Sequence, residues 1–543
     1  MHFSNCDCQC LEAGVTETEF VQHLQEICGD GSVVVDQEKL EDARYDVHET
    51  GYAPALILVP TEADSLPDAI AEISGAGYAI APRGGGLSYT AGYIPQSDRT
   101  VLVDTTALNQ IIEIRPDDMT ITVECGATWK QIYDALAPHK LRLPFFGTFS
   151  GKGATVGGGL SHGALFFGSA RYGSAADMVL GMDVVCANGQ ILRTGQGALK
   201  VEGKPFLRSF GPDLTGLFVH DGGALGLKLR ATLRLIRMPE HFDYFSFAYP
   251  TFEAASEALC AIAREGVAEE AYIMDPATTD HLDIDTAEML RSASAVAKSA
   301  DNPLAAAKSL LAMGKAGAAV IPKGHYSLHV TVAGLSREAV AADGKSIVRI
   351  QEAAGGRQVT ATIPMVARAD PFANLNGVMG PDGGRWTALN AKVALSDVQK
   401  LLNAFNVMIA PYADEMDGKG VRITRLSSAL SNHCYSFETV FHWRDSWLPL
   451  HRNAPDPSHV RKYEEPPANP EGRELVDNLR QKTVNLFRDV GAASNQIGRV
   501  YPFLSALSDE PRDLLLTLKQ FLDPKGSMNP GVLEFPVNNQ VKS

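Results

Sequence analysis

Short apolar runs alternate with turn residues from Tyr52 to about Leu235, and this pattern predicts a domain in which helices and strands are mixed. Ala55 to Val59 and Tyr78 to Ala81 are uninterrupted apolar runs of strand length. Between them, apolar residues recur at helical spacing after Ser65, whose hydroxyl can cap the helix that they form. The domain is therefore predicted to open with a strand, a helix and a second strand.

Further strands and a helix are predicted in the same part of the chain. Three short runs read as extended segments: Thr100–Val103, Ile111–Ile114 and Thr120–Glu124. Thr128 and Gln131 have the spacing of a capping box, so a helix is expected to begin there and to continue through Leu136.

The pattern of hydrophobic and polar residues changes beyond Arg237. Long Ala-rich and charged helical patterns are separated there by strand candidates at His325–Val332 and Cys434–His442. The proline-rich run Asn453–Pro470 predicts a surface loop, and Pro511–Leu522 predicts a last helix. We therefore predict an N-terminal extension (1–50), a first domain (51–237), a second domain (238–504) and a C-terminal segment (505–543).

Composition and charge narrow the class of protein. The chain has 543 residues, 45% of them hydrophobic, and a core of that size needs no disulfide or metal to stabilise it. A formal charge of −16 and the lack of any long basic run disfavour nucleic acid as a partner. No apolar run approaches the roughly 20 residues that span a bilayer. The N-terminus lacks the features of a secretory signal, so we expect a cytoplasmic protein without a transmembrane segment.

The eight cysteines fall into two groups. Five lie in segments that resemble core and are expected to be reduced thiols: Cys28, Cys125, Cys186, Cys260 and Cys434. Cys6, Cys8 and Cys10 cluster near the N-terminus, but their alternate spacing without a second Cys or His pair fits no zinc frame. We expect an exposed N-terminal segment there rather than a metal site.

The first segment that indicates chemistry is Pro82-Arg-Gly-Gly-Gly-Leu-Ser88, which directly follows a predicted strand. Three consecutive glycines allow the backbone to approach a ligand closely, so that several N–H groups can converge on a phosphate. The alternative interpretation is a flexible glycine turn without a ligand.

A second glycine-rich loop spans Gly151–Ser161, where Thr155 and Ser161 supply hydroxyl groups. Two such loops in one domain suit a diphosphate better than a monophosphate. Neither loop fits the G-x-G-x-x-G fingerprint of a nicotinamide site, because Tyr89 stands at the third required position, and neither is a P-loop. Nicotinamide binding and nucleotide hydrolysis are therefore disfavoured.

Further blocks of distinctive sequence follow the two loops: Tyr172–Ser174, Gly181–Gly189, Leu192–Gly195, His220–Leu233 and Phe521–Leu533. In order and spacing, the loops and these blocks resemble the FAD-binding proteins of the vanillyl-alcohol oxidase and p-cresol methylhydroxylase (PCMH) superfamily. The resemblance implies an α+β fold. A PCMH-type FAD-binding domain of two subdomains would carry an α/β cap, or substrate, domain, and residues 505–543 would return to the FAD-binding domain.

The resemblance also implies where FAD binds. Its pyrophosphate is expected against both glycine loops, its adenine near Gly226, and the C-terminal segment would contribute Asn529. The candidate cofactor-binding residues are Pro82, Arg83, Gly84, Gly85, Gly86, Leu87, Ser88, Gly153, Ala154, Thr155, Gly157, Gly158, Ser161, Tyr172, Gly226, Leu227 and Asn529.

Two departures from the family pattern concern covalent attachment of the flavin. Several relatives carry a tethering His at the position of Gly86, and others carry an Asp associated with tethering at the position of Ser174. The sequence therefore favours noncovalent FAD. His433 and Tyr435 in the cap remain the alternative attachment points.

A metal is not expected in the cap. The Gly-Asp-Gly-Asn-Leu-His string that helps to hold a metal in the hydroxy-acid branch does not occur in this sequence. His325 and His329 are its nearest counterpart, and without a third ligand they are expected beside the substrate or in the core.

Candidate catalytic residues come from two segments. Arg499 could stabilise charge on the reduced flavin or bind an anionic substrate, since a guanidinium matches a carboxylate. Tyr501 completes a pair similar to one that holds a phenolate in relatives, although its order and spacing differ. For proton transfer the cap strand offers His433, Glu438 and His442. The further anion-binding candidates are Arg422 and Arg425.

The resemblance implies an FAD-dependent oxidoreductase, either an oxidase or a dehydrogenase. It would move a hydride from a small alcohol, hydroxy acid or phenolic benzylic alcohol to N5 of the flavin. Oxygen or another acceptor would then reoxidise the flavin, and the resemblance leaves room for a homodimer. The alternatives are a redox-neutral synthase of the alkyl ether lipid type and a flavin-binding protein without catalysis.

Overall fold

The computed structural model describes residues 16–201, 203–279 and 321–537, so Cys6, Cys8 and Cys10 lie outside the described residues. The strands are β1 (Val33–Val34), β2 (Leu56–Leu58), β3 (Ala79–Arg83), β4 (Thr100–Asp104), β5 (Ile111–Arg115), β6 (Thr120–Glu124), β7 (Leu141–Arg142), β8 (Val179–Val185), β9 (Ile191–Arg193), β10 (Leu227–Arg234), β11 (Ile236–Arg237), β12 (His241–Tyr249), β13 (Glu270–Met274), β14 (Tyr326–Gly334), β15 (Arg357–Val359), β16 (Arg385–Ala394), β17 (Arg422–Leu430) and β18 (Cys434–Trp443).

The helices pack between and outside these strands. They are α1 (Glu17–Cys28), α2 (Gln37–Asp42), α3 (Leu66–Gly75), α4 (Trp129–Leu136), α5 (Val156–His162), α6 (Ser169–Tyr172), α7 (Phe252–Glu265), α8 (Pro276–Thr279), α9 (Arg337–Ala353), α10 (Thr362–Ala369), α11 (Val398–Ile409), α12 (Ala413–Lys419), α13 (Pro449–Asn453), α14 (Pro457–Val460), α15 (Pro470–Asp489) and α16 (Asp509–Leu522). The mixed α+β class that the sequence predicts is confirmed.

The first sheet has the order β1-β2-β4-β3, with β2, β3 and β4 parallel. Helix α3 connects β2 to β3 and buries Leu66, Ile70 and Ile73 completely, which confirms the predicted strand–helix–strand unit. The predicted side-chain cap at the start of α3 is wrong. Ser65 lies in a short 3₁₀ turn, where its hydroxyl donates to the carbonyl of Glu62 rather than accepting from the helix.

The second sheet is antiparallel, with the order β5-β6-β10-β8-β9. Beside it, α4 begins with the predicted capping box: Thr128 Oγ1 accepts from Gln131 N at 3.2 Å, and Gln131 Oε1 accepts from Thr128 N at 2.8 Å. The cap fixes the start of α4, so that Trp129 enters the core under the second glycine loop.

The third sheet contains seven antiparallel strands in the order β15-β12-β14-β13-β17-β18-β16. Side chains alternate between its two faces. Tyr435, Phe437 and Phe441 of β18 pack in a core shared with α7, α11 and α15. The side chains between them on β18 therefore project from the opposite face, where Ser436 and Glu438 line a cavity.

The segment after α16 runs back to the first sheet. The backbone N–H of Ile80 in β3 donates to Ser527, and Asn529 N donates back to the Ile80 carbonyl, both at 2.8 Å. Met528 between them is fully buried. This contact places the C-terminal segment directly beside the strand that leads into the first glycine loop. The domain boundaries stay predictions.

The five cysteines predicted to be reduced are free thiols in the structure, four of them buried and Cys434 half-buried. Within the described ranges, every helix is too short or too polar to traverse a bilayer. The compartment stays a prediction.

Candidate functional site

A cavity of about 440 Å³ lies between the two glycine loops and the third sheet. Three parts of the chain form its walls: residues 82–89 of the first loop, residues 154–166 around α5, and the strands β16, β17 and β18. The cavity thus joins the predicted cofactor loops to the predicted cap.

Contact between the two loops depends on glycine. A Cβ on Gly85 would lie 2.0 Å from the carbonyl oxygen of Gly153, and one on Gly84 would lie 2.2 Å from Thr155 Oγ1. Gly86 has a φ of +67°, which disfavours residues with a side chain, and its carbonyl accepts from the Tyr93 hydroxyl at 2.7 Å. The loops can therefore meet and leave their backbones open toward the cavity.

Several buried polar atoms around the cavity have no protein partner. They are Arg83 Nε, His162 Nδ1, Trp386 Nε1 and Gln496 Oε1. An unpaired buried polar group is costly, so these atoms fit a ligand that supplies both donors and acceptors. Burial lowers the pKa of His162 to about 4, so its ring is neutral and can accept at one nitrogen.

The cap side of the cavity is a polar surface on three neighbouring strands. Lys392 of β16 pairs with Ser436 of β18, and Ser436 pairs with Ser428 of β17. Two residues along, Glu438 lies between Asn390 and Leu426. All of these except Asn390 line the cavity, because alternate residues of a strand share one face.

Glu438 is linked to the first glycine loop. The hydroxyl of Tyr89 donates to Glu438 Oε2 at 3.3 Å, and Gln496 Nε2 donates to the same hydroxyl at 3.3 Å. Burial raises the pKa of Glu438 above its ordinary value, although the nearby Lys392 ammonium opposes the shift. Glu438 is therefore a carboxyl group suited to proton exchange at a less acidic pH than an exposed glutamate.

Lys392 is the cation of this polar wall. Its ammonium donates to Asn495 Oδ1 at 2.6 Å and to Asn390 Oδ1 at 3.2 Å. Burial lowers its pKa to about 8, and the charge of Glu438 partly offsets that effect. An ammonium has three N–H donors, so one remains for a group in the cavity.

Comparison with known proteins identifies the cofactor loops. Residues 54–195 match the FAD binding domain family, and this range contains both loops that meet at Gly85 and Gly153. Through this domain the chain is similar to the PCMH-type superfamily of FAD-binding proteins. FAD is therefore the cofactor of this domain, and the orphaned atoms of the cavity fit its phosphates, hydroxyls and ring heteroatoms.

Solved structures share the fold over nearly the whole chain. p-Cresol methylhydroxylase with substrate bound aligns over 97% of this chain and 99% of its own, with a TM-score of 0.70 and 19% identity. An alkyldihydroxyacetonephosphate synthase aligns over 95% of this chain and 85% of its own, with a TM-score of 0.65 and 16% identity. At these identities the likeness concerns the fold.

Among curated proteins, the glycolate oxidase subunit GlcD of Bacillus subtilis is 30% identical over 230 residues. The match covers 42% of this chain and 46% of that relative. The chain thus spans less than half the length of this relative.

Most of the predicted cofactor residues line the cavity. They are Pro82, Arg83, Gly84, Gly85, Gly86, Leu87, Ser88, Ala154, Thr155, Gly157, Gly158, Ser161, Gly226 and Leu227. Thr155 also caps α5, because its Oγ1 accepts from Gly158 N at 3.3 Å. The remaining three predicted residues lie elsewhere.

Gly153, Tyr172 and Asn529 do not line the cavity. Gly153 lies behind Gly85 and supports it, while the Tyr172 ring packs beside the Arg142 and Arg171 guanidinium groups. Asn529 is fully buried, and its amide donates to the carbonyls of Gly92 and Gly222. Each of the three is engaged by the protein itself, and their direct contact with FAD stays a prediction.

Arg499 does not reach the cavity either. Its guanidinium donates to the carbonyls of Pro530 and Ala91 and to Asn529 Oδ1. Burial lowers its pKa to about 9. In the structure Arg499 fastens the C-terminal segment to the loop around Ala91, and its contact with the flavin or the substrate stays a prediction.

Tyr501 and the two histidines proposed for proton transfer also lie outside the cavity. The Tyr501 oxygen accepts from Asn390 N at 2.7 Å. His433 is exposed in the turn before β18, and His442 bonds to Thr424 Oγ1 at 2.9 Å, where burial lowers its pKa to about 4. Of the catalytic residues predicted from the sequence, Glu438 is the one that the structure brings to the cavity.

The predicted tether Tyr435 and the anion-binding candidates Arg422 and Arg425 do not line the cavity. Tyr435 is buried on the helical side of the third sheet, where its hydroxyl lies 2.6 Å from Ser256 Oγ. Arg425 donates to Asn406 Oδ1 and lies over the Phe252 ring. Arg422 does not line the cavity. Ser174 bonds to Asp177 and likewise lies outside it.

His325 and His329 lie in different surroundings in the structure. His329 is buried between Ser246 Oγ at 2.8 Å and Ser327 Oγ at 2.9 Å, and burial lowers its pKa to about 3. His325 is half-buried in the turn before β14. Over the described ranges, no group of three or more His, Cys, Asp or Glu is placed to bind a metal.

The sequence interpretation missed several cavity residues, above all Tyr89, Trp386, Lys392 and Gln496. Tyr89 directly follows the first loop, and Trp386 and Lys392 share one face of β16 by simple alternation. Gln496 lies three residues before Arg499, which was the residue of that segment favoured as an anion binder.

Proposed function

We propose that the protein is an FAD-dependent oxidoreductase that removes a hydride from the carbon of a small hydroxyl-bearing molecule. The observation that carries the proposal is the Tyr89–Glu438 pair, which lies at the meeting of the FAD loop and the polar cap surface in one cavity. Similarity to a glycolate oxidase subunit supports the same class of chemistry.

Bound FAD supplies the hydride acceptor, and the chain must remove the proton of the donor hydroxyl. Glu438 is the proposed proton acceptor. Its raised pKa makes the carboxylate a better base than an ordinary glutamate, provided that it is ionised at the working pH.

Gln496 is a proposed positioning residue. Its amide N–H occupies a lone pair of the Tyr89 oxygen, so the Tyr89 proton turns toward Glu438. Tyr89 then steadies the Glu438 carboxylate in one orientation. Burial raises the pKa of Tyr89, so it stays protonated and acts as a donor.

Lys392 is the proposed binding group for an electron-rich oxygen of the substrate. It is the cationic residue of the cap surface, and its third N–H is not taken by Asn390 or Asn495. A carboxylate next to the donor carbon would satisfy this N–H, so we favour a hydroxy acid over a neutral alcohol. The acceptor that reoxidises the flavin is proposed to be oxygen or a separate electron carrier.

The decisive experiment is anaerobic mixing of the yellow holoprotein with a panel of hydroxy acids, alcohols and phenolic alcohols. Bleaching of the flavin band by a donor supports the proposal, and later admission of oxygen distinguishes an oxidase from a dehydrogenase. The Glu438→Gln variant should retain FAD but bleach at least roughly 100-fold more slowly.

His442→Gln is the matched control, because His442 shares the strand and face of Glu438 but does not line the cavity. Equal bleaching rates of Glu438→Gln and the wild type would remove Glu438 from the mechanism. Persistent flavin colour with every donor would instead favour a redox-neutral or noncatalytic role.

A further inference from the structure

One loop of the FAD-binding domain exposes an unusual number of large apolar side chains. Six of the sixteen exposed large hydrophobic residues of the described chain fall between positions 199 and 214: Leu199, Val201, Phe206, Leu207, Phe210 and Leu214. Val201 is 79% exposed and Phe210 is 69% exposed. Single exposed apolar residues need no explanation, whereas a cluster of this kind marks an interaction site.

The same stretch is basic in an acidic protein. Residues 193–214 contain four basic residues, Arg193, Lys200, Lys204 and Arg208, against two acidic residues, Glu202 and Asp213, although the whole chain has a charge of −16. The side chains of Arg193 and Lys204 are 59% and 60% exposed. We call the six apolar residues together with Lys200 and Lys204 the loop surface.

The loop surface is held against the rest of the domain. Arg208 donates to Asp213 at 2.8 Å and to the carbonyl of Ala176, and Lys204 pairs with Asp118 at 2.6 Å. The carbonyl of Leu207 accepts from Gln196 N at 2.9 Å. These bonds hold the loop to the domain, while Phe206 and Phe210 remain exposed, at 57% and 69%.

We propose that the loop surface binds the surface of a membrane that contains anionic phospholipids. Phenylalanine and aliphatic side chains enter the boundary between headgroups and acyl chains, and lysines at the same depth bind phosphate groups. Net negative charge elsewhere on the protein orients this basic patch toward the anionic surface. The proposal concerns peripheral attachment and is independent of the redox chemistry of the cavity.

The test is sedimentation of the full-length FAD-loaded protein with vesicles. Vesicles of equimolar phosphatidylglycerol and phosphatidylcholine are expected to bind it, and pure phosphatidylcholine vesicles to bind it at least roughly tenfold more weakly. Adding salt should weaken the first interaction. The double variant Phe206→Ser/Phe210→Ser should lose binding by at least roughly tenfold while keeping its flavin.

Phe521→Ser is the matched control, since Phe521 is equally exposed, at 79%, on α16 and lies outside the loop surface. It should bind vesicles as the wild type does. Wild-type protein that stays in the supernatant with anionic vesicles at low salt would overturn the proposal. Undiminished binding by the double variant would also overturn it. Self-association that the double variant abolishes, without vesicle binding, would assign the surface to a second copy of the chain and overturn it as well.

Discussion

The hydroxyl of Tyr89 donates a hydrogen bond to Glu438 across the boundary between the first glycine loop and the third sheet, with the two oxygens 3.3 Å apart. One partner belongs to the FAD-binding part of the chain and the other to the cap. Glu438 would therefore accept a proton where the first glycine loop meets the polar surface of the third sheet.

We predict that the rate of flavin reduction rises with pH as Glu438 loses its proton. Burial raises the pKa of Glu438, so the carboxylate, which is the active form, predominates only above a midpoint higher than that of an ordinary glutamate. Anaerobic stopped-flow measurements across pH would check this. The rising limb should disappear in Glu438→Gln, and a limb that persists in that variant would contradict the assignment.

Gly85→Val is predicted to abolish retention of FAD. A Cβ at this position would lie 2.0 Å from the carbonyl oxygen of Gly153, so the two loops must separate to admit it. The ratio of flavin to protein absorbance after purification measures the effect. Gly197→Ala is the control, because a Cβ there meets nothing within 4 Å. Full flavin content in Gly85→Val would refute the role of the loop contact.

Arg499→Ala is predicted to lower the stability of the protein without weakening substrate binding. The change removes the bonds to Ala91, Asn529 and Pro530, and their loss should cost about 3 kcal/mol of unfolding free energy. Denaturant unfolding and the KM of the best donor are the two readouts. A large rise in KM with unchanged stability would return Arg499 to the substrate site.

Lys392→Met is predicted to weaken the binding of acidic donors selectively. The variant keeps the length of the side chain but removes the N–H that faces the cavity. Apparent affinity for a hydroxy acid should fall by about tenfold or more, and affinity for a neutral alcohol should change little. Equal effects on both donors would show that Lys392 supports the fold of the cap surface rather than a carboxylate.

The flavin is predicted to be released when the protein is denatured. Gly86 has no side chain, Ser174 bonds to Asp177 outside the cavity, and Tyr435 faces α7. Denaturation followed by filtration should therefore place the yellow colour in the filtrate. Colour that stays with the precipitated polypeptide would require another attachment residue within the cavity.

Features that depend on residues close together in the sequence could be predicted. The capping box of Thr128 and Gln131 fixes the start of α4, and alternation of side chains places Glu438 on the cavity face of β18. The Ser65 cap failed because the chain forms a 3₁₀ turn before α3, and the serine hydroxyl bonds backward within that turn.

Contacts between distant segments could not be predicted in this way. Arg499 looked like a substrate-binding residue because a guanidinium suits an anion, yet carbonyl groups from positions 91 and 530 occupy it. Lys392 was overlooked in part because Asn495, which accepts from its ammonium, lies 103 positions further along the chain. Which partner a charged side chain finds depends on the order of strands in the third sheet, and hydrophobic periodicity does not determine that order.

The return of Asn529 to Gly92 and Gly222 also sets a condition on biosynthesis. The edge of β3 that leads into the first glycine loop is completed by residues that leave the ribosome nearly 450 positions later. Until translation has passed Asn529, the backbone N–H and carbonyl of Ile80 lack these two partners.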